Sequence, residues 1–599
     1  MATDASPDKR TTVSRCATET SWSRRPWFLA SVLLIGTFLA YQSVWRGGFV
    51  WDDDHHLTEN PAMTAPHGLQ MIWTSLAVSR YYPLTLTSFW LQRRLWGPDP
   101  MPYHLVNIAL HAINGLLLYS LLCRLRIPAA WLGALLWTLH PVNVESVAWI
   151  TELKNTQSGC FFFLALLCFF RFEAAAKRRW YALALLGGLA ALLSKPSTVI
   201  LPLALLLGTW WERGRWRRVD LLRIVPFFIL SVGMSVVTVV EQRGQILRER
   251  TAEWNLGMAE RCVIAGKAVW FYASKLVWPV RLTFVYPHWD TKAGAFPSWL
   301  PLGALIAVTA ILWARRQQPW ARAGLFGGGF FVVALLPVLG FFDVFYFRYS
   351  FVADHFQYLA SVGLIALVTA GTATICRRVG RPLGVVAALA APMLLAVLTW
   401  KQGHIYRDAE TIWRDTLAKN SGCWMADTNL GNLLQNSGRI TEAEEYYHKA
   451  LAIKPDYAMA HNDLAVALIA AGKPETAMGE LEEALRIKPD LMEAQDNLAW
   501  LLATLPPSQG GDSIRAVPLA RQLCQRTGYR VAAYLNTLAA AYAAAGQFSN
   551  AVDSAQMALS RAHSAGQLTL ASEIETRLES YRNQRAAGQP ANSQGPTGY

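Results

Sequence analysis

Between residues 27 and 400 the chain returns repeatedly to apolar runs of membrane-spanning or nearly membrane-spanning length, and nothing else constrains its fold as strongly. About 20 apolar residues in a helix match the hydrocarbon thickness of a bilayer. In that medium every backbone N–H and C=O must be paired within the structure, so such runs fold as helices. They fall at about 27–45, 104–123, 129–147, 156–172, 180–194, 196–211, 221–240, 298–314, 323–340, 357–375 and 383–400. A further apolar stretch at 262–280 is ambiguous. With 53% hydrophobic and only 16% charged residues, the chain reads as a polytopic membrane protein with a soluble part attached.

Short basic links separate many of the runs: 123–126, 171–179, 213–218, 315–322 and 377–381. Placing them all in the cytoplasm satisfies the positive-inside bias. An even number of spans must then separate 213–218 from 315–322, so 262–280 is expected to be re-entrant or surface-lying. That leaves about eleven spans, with residues 1–26 inside and the segment after 400 outside. The net charge of +14 belongs with these links. No zinc-finger spacing or basic recognition helix accompanies it, so nucleic-acid binding is set aside. The eight cysteines contain no CxxC pair, which argues against a thiolate metal cage or a redox motif. The basic N-terminus before the first run lacks a clear cleavage site and is read as leading into an uncleaved anchor.

The first outer stretch is Gly47-Gly48-Phe49-Val50-Trp51-Asp52-Asp53-Asp54-His55-His56. Three adjacent carboxylates at a membrane boundary repel one another and are poorly solvated. A carboxylate held there suits a general base. The alternative is an acidic loop that ends a helix in water. The Asp54/His55/His56 group is a further candidate, for a divalent cation, although adjacent residues point in divergent directions. The loop 46–102 is too long for a simple connector. Its middle, 69–96, has the Trp, Leu and Arg texture of a surface-lying helix. Other outer loops carry His140-Pro141-Val142-Asn143-Val144-Glu145 and Thr151-Glu152-Leu153-Lys154-Asn155. Arg243, Arg248, Arg250 and Arg261 follow, then Asp343, Arg348, Asp354, His355 and Tyr358. Basic residues outside run against the bias and invite an anionic ligand such as a lipid phosphate. Snorkelling to ordinary headgroups is the alternative.

After residue 400 the texture changes. Lys454-Pro455-Asp456 returns as Lys488-Pro489-Asp490, a step of 34 residues. Gly438 and Gly472, Ala443 and Ala477, Ala450 and Ala484, and Leu430, Leu464 and Leu498 keep that step. The period marks a tetratricopeptide repeat, a stack of helix pairs whose concave surface holds peptides or proteins. A further unit occupies 534–558, and 505–511 reads as an inserted loop. The expected division is a cytoplasmic tail (1–26), a membrane domain (27–400), a repeat domain (401–583) and a disordered tail (584–599).

With these motifs in order, the membrane half resembles a known family. Phe49-Val50-Trp51-Asp52-Asp53 looks like the Asp-Asp motif of the transmembrane and tetratricopeptide-repeat-containing (TMTC) protein O-mannosyltransferases and their bacterial relatives. These are GT-C glycosyltransferases that use polyprenyl-phosphate sugars. Tyr82-Pro83-Leu84-Thr85, Tyr103-His104-Leu105-Val106-Asn107, His140-Pro141-Val142 with Glu145 and Ser146, and Glu152-Leu153-Lys154-Asn155 also match. So do Leu193-Ser194-Lys195-Pro196 and Ala353-Asp354-His355-Phe356-Gln357-Tyr358. Two departures are Asp54-His55-His56 after the Asp pair and His355 where relatives often carry Arg.

The resemblance implies an all-α fold, a GT-C-like helical membrane domain followed by a repeat solenoid. It implies a lipid-linked sugar as co-substrate and a Ser or Thr hydroxyl of an extracytoplasmic protein as acceptor. Asp52 would be the base and Asp53 would orient the acceptor or tune Asp52. Lys154, Arg248 and Arg250 would face the donor phosphate. Glu145, Asp354, His140 and His355 would hold sugar hydroxyls, the two histidines serving equally well as helix-end hydrogen-bonding residues. A GT-C transferase acting on a lipid or cell-envelope glycan, and a non-enzymatic membrane scaffold displaying the repeats, are the competing classes. The absence of an organelle signal and the short loops suggest a bacterial inner membrane.

Overall fold

The computed structural model describes residues 26–75, 81–249, 256–291, 293–379 and 381–588. Among them every regular element is a helix and there is no strand. The chain divides into two compact units, Met1–Asn420 and Ser421–Tyr599.

Five helical stretches in the first unit are long and apolar enough to cross a membrane: Pro100–Arg124, Ile150–Ala175, Arg218–Glu241, Phe296–Ala314 and Pro319–Val338. Shorter apolar helices at Trp27–Ala40 and Ser361–Cys376 accompany them. Their shared core is built from large rings, Trp137, Phe162, Phe163, Phe169, Phe170 and Phe331, interleaved with alanine. Helices Pro319–Leu335 and Ser361–Val379 meet through glycine. A methyl placed on Gly363 would lie 2.3 Å from the carbonyl oxygen of Gly327, so the contact exists only because neither residue has a side chain.

Several basic links gather at one end of this unit. Arg213 pairs with Glu173 and Asp220, and Arg223 Nη1 lies 2.6 Å from Glu173. Arg124 pairs with Glu212, and Arg322 Nη2 donates to the Trp210 carbonyl at 3.2 Å. The links 213–218 and 315–322 therefore lie together, as the positive-inside topology requires. The stretch 262–280 falls in a 20-residue helix, Met258–Val277, buried along one side and not among the five long apolar helices.

The loop 46–102 has its own small core of Leu57, Met63, Ile72, Tyr82, Leu86 and Phe89 against Tyr103, Ile150 and Leu153. The expected helix over 69–96 is instead two, Gly68–Thr74 and Pro83–Trp96, with 76–80 outside the described residues. Pro83 is the reason for the second start. It has no N–H to give a preceding turn, and it stands at the first helical position.

The second unit consists of four helix pairs: Trp424–Asn436 with Ile440–Ile453, Ala458–Ala470 with Pro474–Ile487, Met492–Thr504 with Ser513–Arg526, and Ala532–Ala544 with Phe548–Ser564. A final helix, Leu568–Gly588, takes in residues 584–588 of the expected tail, and 589–599 lie outside the described residues. Ala443, Ala450, Ala477 and Ala484 are fully buried where the helices pack most closely. Gly438, Gly472 and Gly546 make the turn inside their pairs at φ of 78°, 74° and 71°. The interrupted third unit closes 505–511 with a short 3-10 turn, and Asp512 then caps the next helix.

Candidate functional site

The three adjacent aspartates are separated by the turn that carries them. Trp51 adopts a left-handed backbone at φ 46°. The backbone N–H of Asp53 then donates to the Val50 carbonyl (3.1 Å), and the Val50 N–H donates back to Asp53 Oδ2 (2.8 Å). Asp53 is fully buried. Its Oδ1 accepts the Thr151 N–H (2.8 Å) and the Thr151 hydroxyl. Burial raises its pKa to about 7, more than these hydrogen bonds lower it. Asp52 is half-buried and Asp54 exposed. Asp54 accepts from Thr58 Oγ1, His55 is exposed, and His56 is buried with its ring 5.8 Å from Tyr82. Among the described residues no group of three or more His, Cys, Asp or Glu side chains is placed to hold a metal ion.

Thr151 joins the aspartate turn to a buried charge cluster. Glu152, with no exposed surface, takes Lys154 Nζ at 2.8 Å on Oε1 and Lys195 Nζ at 3.3 Å on Oε2. Asn155 knits the two: its Nδ2 donates to Glu152 Oε2 (2.6 Å) and to the His355 carbonyl (2.9 Å), and its Oδ1 accepts from Lys195 (2.6 Å). Glu145 receives the His355 N–H on one oxygen (3.0 Å) and His355 Nδ1 on the other (2.9 Å). With the carboxylate accepting, Nδ1 carries the hydrogen. Asp354 is capped by Tyr286, whose hydroxyl lies 3.1 and 3.0 Å from its two oxygens. Burial and the neighbouring Glu145 charge push Asp354 well above the usual carboxylate range.

Aromatic rings wall the cluster. Trp51 stacks on Trp149 at 5.4 Å and meets Phe284, Tyr346 and Tyr349 edge-on. Lys154 Nζ lies 5.2 Å from the Trp149 ring centre, and His355 meets the same ring. The ring quadrupole thus adds to the hold that Glu152 has on the Lys154 ammonium.

Of the residues picked from sequence, Asp52, Asp53, Glu145, Lys154, Asp354 and His355 come together here. His140 has both ring nitrogens committed, Nε2 to the Leu276 carbonyl (3.0 Å) and Nδ1 to the Val142 N–H (3.4 Å), and caps a short helix. Arg250 lies outside the described residues. Arg248 falls within the helix Arg218–Glu249, and its side chain is outside what is described. Lys195, Thr151, Trp149 and Tyr286 were not picked. Lys195 had a signal, a lysine between two apolar runs, which is costly without a partner.

A tetratricopeptide repeat model matches residues 424–490. Protein O-mannosyl-transferase F38B6.6 of Caenorhabditis elegans is 24% identical over 71% of this chain and 63% of its own length. Protein O-mannosyl-transferase TMTC1 of Homo sapiens is 24% identical over 72% of this chain and 55% of its own. Protein O-mannosyl-transferase tmtc2 of Xenopus laevis is 39% identical over 15% of this chain. The chain thus spans less than two thirds of the length of these relatives. Among solved structures, YrrB, described as a TPR protein with an unusual peptide-binding site, aligns with 34% of this chain and 97% of its own at 15% identity and a TM-score of 0.24. The MamA protein aligns with 26% of this chain and 84% of its own at 18% identity and a TM-score of 0.23. Curated relatives of this chain are TMTC-family protein O-mannosyl-transferases, matched over some 70% of its length, and its C-terminal part carries tetratricopeptide repeats.

Proposed function

We propose that the chain is a membrane glycosyltransferase that moves a sugar from a polyprenyl-phosphate donor to a Ser or Thr hydroxyl of a protein outside the cytoplasm. The observation that carries this reading is the pairing of one anchored and one accessible aspartate beside a buried two-lysine cluster. The printed activity of the relatives supports it. Asp52 is the base: it takes the hydroxyl proton as the acceptor oxygen attacks the anomeric carbon. Asp53 is spent on Val50 and Thr151, so it fixes the turn that presents Asp52. The bond from the anomeric carbon to the phosphate oxygen breaks, and that oxygen leaves with the electron pair. Lys154, and with it Lys195, offsets the negative charge that develops there. Glu145, His355 and Asp354 offer both acceptors and donors for sugar hydroxyls. The repeats recruit the polypeptide acceptor. The positive-inside reading of about eleven spans supports a site and repeats on the outer side of the membrane, in a bacterium the inner membrane.

The test is transfer by the purified protein in detergent, with labelled polyprenyl-phosphate sugars and a pool of Ser/Thr peptides. Label on peptide that is lost in Asp52→Asn is the expected result. Donor binding with no peptide labelling would instead favour a lipid or glycan acceptor. Folded protein that neither binds nor transfers would overturn the reading.

A further inference from the structure

Residues 402–420, which follow the last apolar run, are tied to two of the backbone segments that bear site residues. The Gly48 N–H donates to the Arg407 carbonyl at 2.9 Å, and a methyl on Gly47 would meet the Tyr406 carbonyl at 2.9 Å. This fixes the approach to Trp51, Asp52 and Asp53. On the other side, Lys419 Nζ donates to the Leu282 carbonyl (2.7 Å), Gln402 Nε2 to the same carbonyl (3.5 Å), and Asn420 Nδ2 to the Val285 carbonyl (3.2 Å). Val285 precedes Tyr286, the partner of Asp354. Between these ties lies the helix Ala409–Lys419. Its buried Trp413 meets Phe284 at 5.5 Å and Trp51 at 6.2 Å, both edge-on.

Trp51 is the residue that needs holding. A left-handed conformation is strained for a side-chain-bearing residue and persists only where its surroundings enforce it. Trp149 covers one face of the indole, and Trp413 stands against its edge from a helix that makes no chemistry of its own.

We propose that the helix Ala409–Lys419 is part of the transferase site, with Trp413 as a positioning residue that holds Trp51 in its left-handed turn and so sets Asp52 against the anchored Asp53. Lys419 and Asn420 fix the same helix to the segment carrying Tyr286. The inference rests on the glycosyltransferase reading for its activity readout and stands apart from it for its structural one.

The test uses the full chain in detergent with Trp413→Ala, Trp413→Phe and Lys419→Met. Amide hydrogen exchange at Asp53 and Thr151 is expected to speed up about tenfold in Trp413→Ala, with the core of the Pro100–Arg124 helix unchanged. Trp413→Phe, which keeps an aromatic edge, should restore most of the protection. Lys419→Met keeps the stem and removes the donor, so exchange near Val285 should quicken; it also serves if Trp413→Ala does not fold. In the transfer assay, Trp413→Ala should lower kcat about tenfold while the donor KM moves less than about twofold. Unchanged exchange at Asp53 in Trp413→Ala, or equal kcat in a folded Trp413→Ala protein, overturns the proposal. Faster local exchange in Trp413→Ala, together with a wild type that transfers no sugar, leaves the positioning role standing and removes the glycosyltransferase reading.

Discussion

Asp53 is the only one of the three adjacent aspartates that the fold spends entirely on structure. Its pKa of about 7 lies above that of an unfolded aspartate, so the folded state binds its proton more tightly. The stability this contributes is complete below the unfolded value, near pH 4, and is lost as pH rises towards 7. Asp53→Asn should therefore flatten the fall in melting temperature between pH 4 and 7 relative to wild type, which a thermal-shift series in detergent reads directly. Thr151→Val removes the hydroxyl that serves Asp53 Oδ1. It should cost about 0.5–1.5 kcal/mol, the net worth of one hydrogen bond, because the backbone N–H of residue 151 still serves that oxygen. A similar logic governs Lys195. Lys195→Met leaves Glu152 buried with Lys154 alone and should cost about 1–3 kcal/mol. Glu152→Gln, which leaves both lysines without their anion, should cost more, and the double-mutant cycle with Lys195→Met measures the coupling between the two residues. From the sequence, the Asp pair could be seen but its division of labour could not. That division depends on Thr151, 98 residues away, and on a left-handed φ at a tryptophan, which no residue pattern announces. Lys154 and Glu152 were legible because they lie together beside an apolar run. Lys195 joins them only through the packing of separate helices.

At the scale of elements, periodicity was the readable quantity. The 34-residue step placed Gly438 and Gly472 in turns and buried Ala443 and Ala477, because a stacked helix pair leaves little freedom at those offsets. The helix expected over 69–96 failed for a local reason, the restart at Pro83. The glycine contact between Pro319–Leu335 and Ser361–Val379 was invisible, since nothing in either run marks which glycine faces a neighbour. It makes a sharp prediction. Gly363→Ala puts a methyl against the Gly327 carbonyl and should destabilise the membrane unit by about 1–3 kcal/mol, seen as a lower melting temperature. Gly371→Ala, with open space around its Cβ, should be close to neutral in the same assay.

As a whole molecule, the chain holds two cores of different origin. The first unit buries large aromatic rings among apolar helices, and the second buries alanine and leucine between helix pairs. Calorimetry should resolve two unfolding transitions, since units with separate cores need not unfold together. Gly363→Ala should move only the membrane-unit transition. Gly431→Ala, which sets a methyl 2.6 Å from the Tyr447 ring, should move only the other.

Trp51 gives this site an unusual sequence economy. Its backbone asks for glycine and its ring contacts ask for tryptophan, and no member of the genetic code supplies both. A library of all substitutions at this one codon should therefore contain no variant better on both counts. Glycine would relax the turn and empty the wall, while every other ring would keep the strain and fit worse. The wild-type residue is a settled compromise, and improvement would have to come from the residues that surround it.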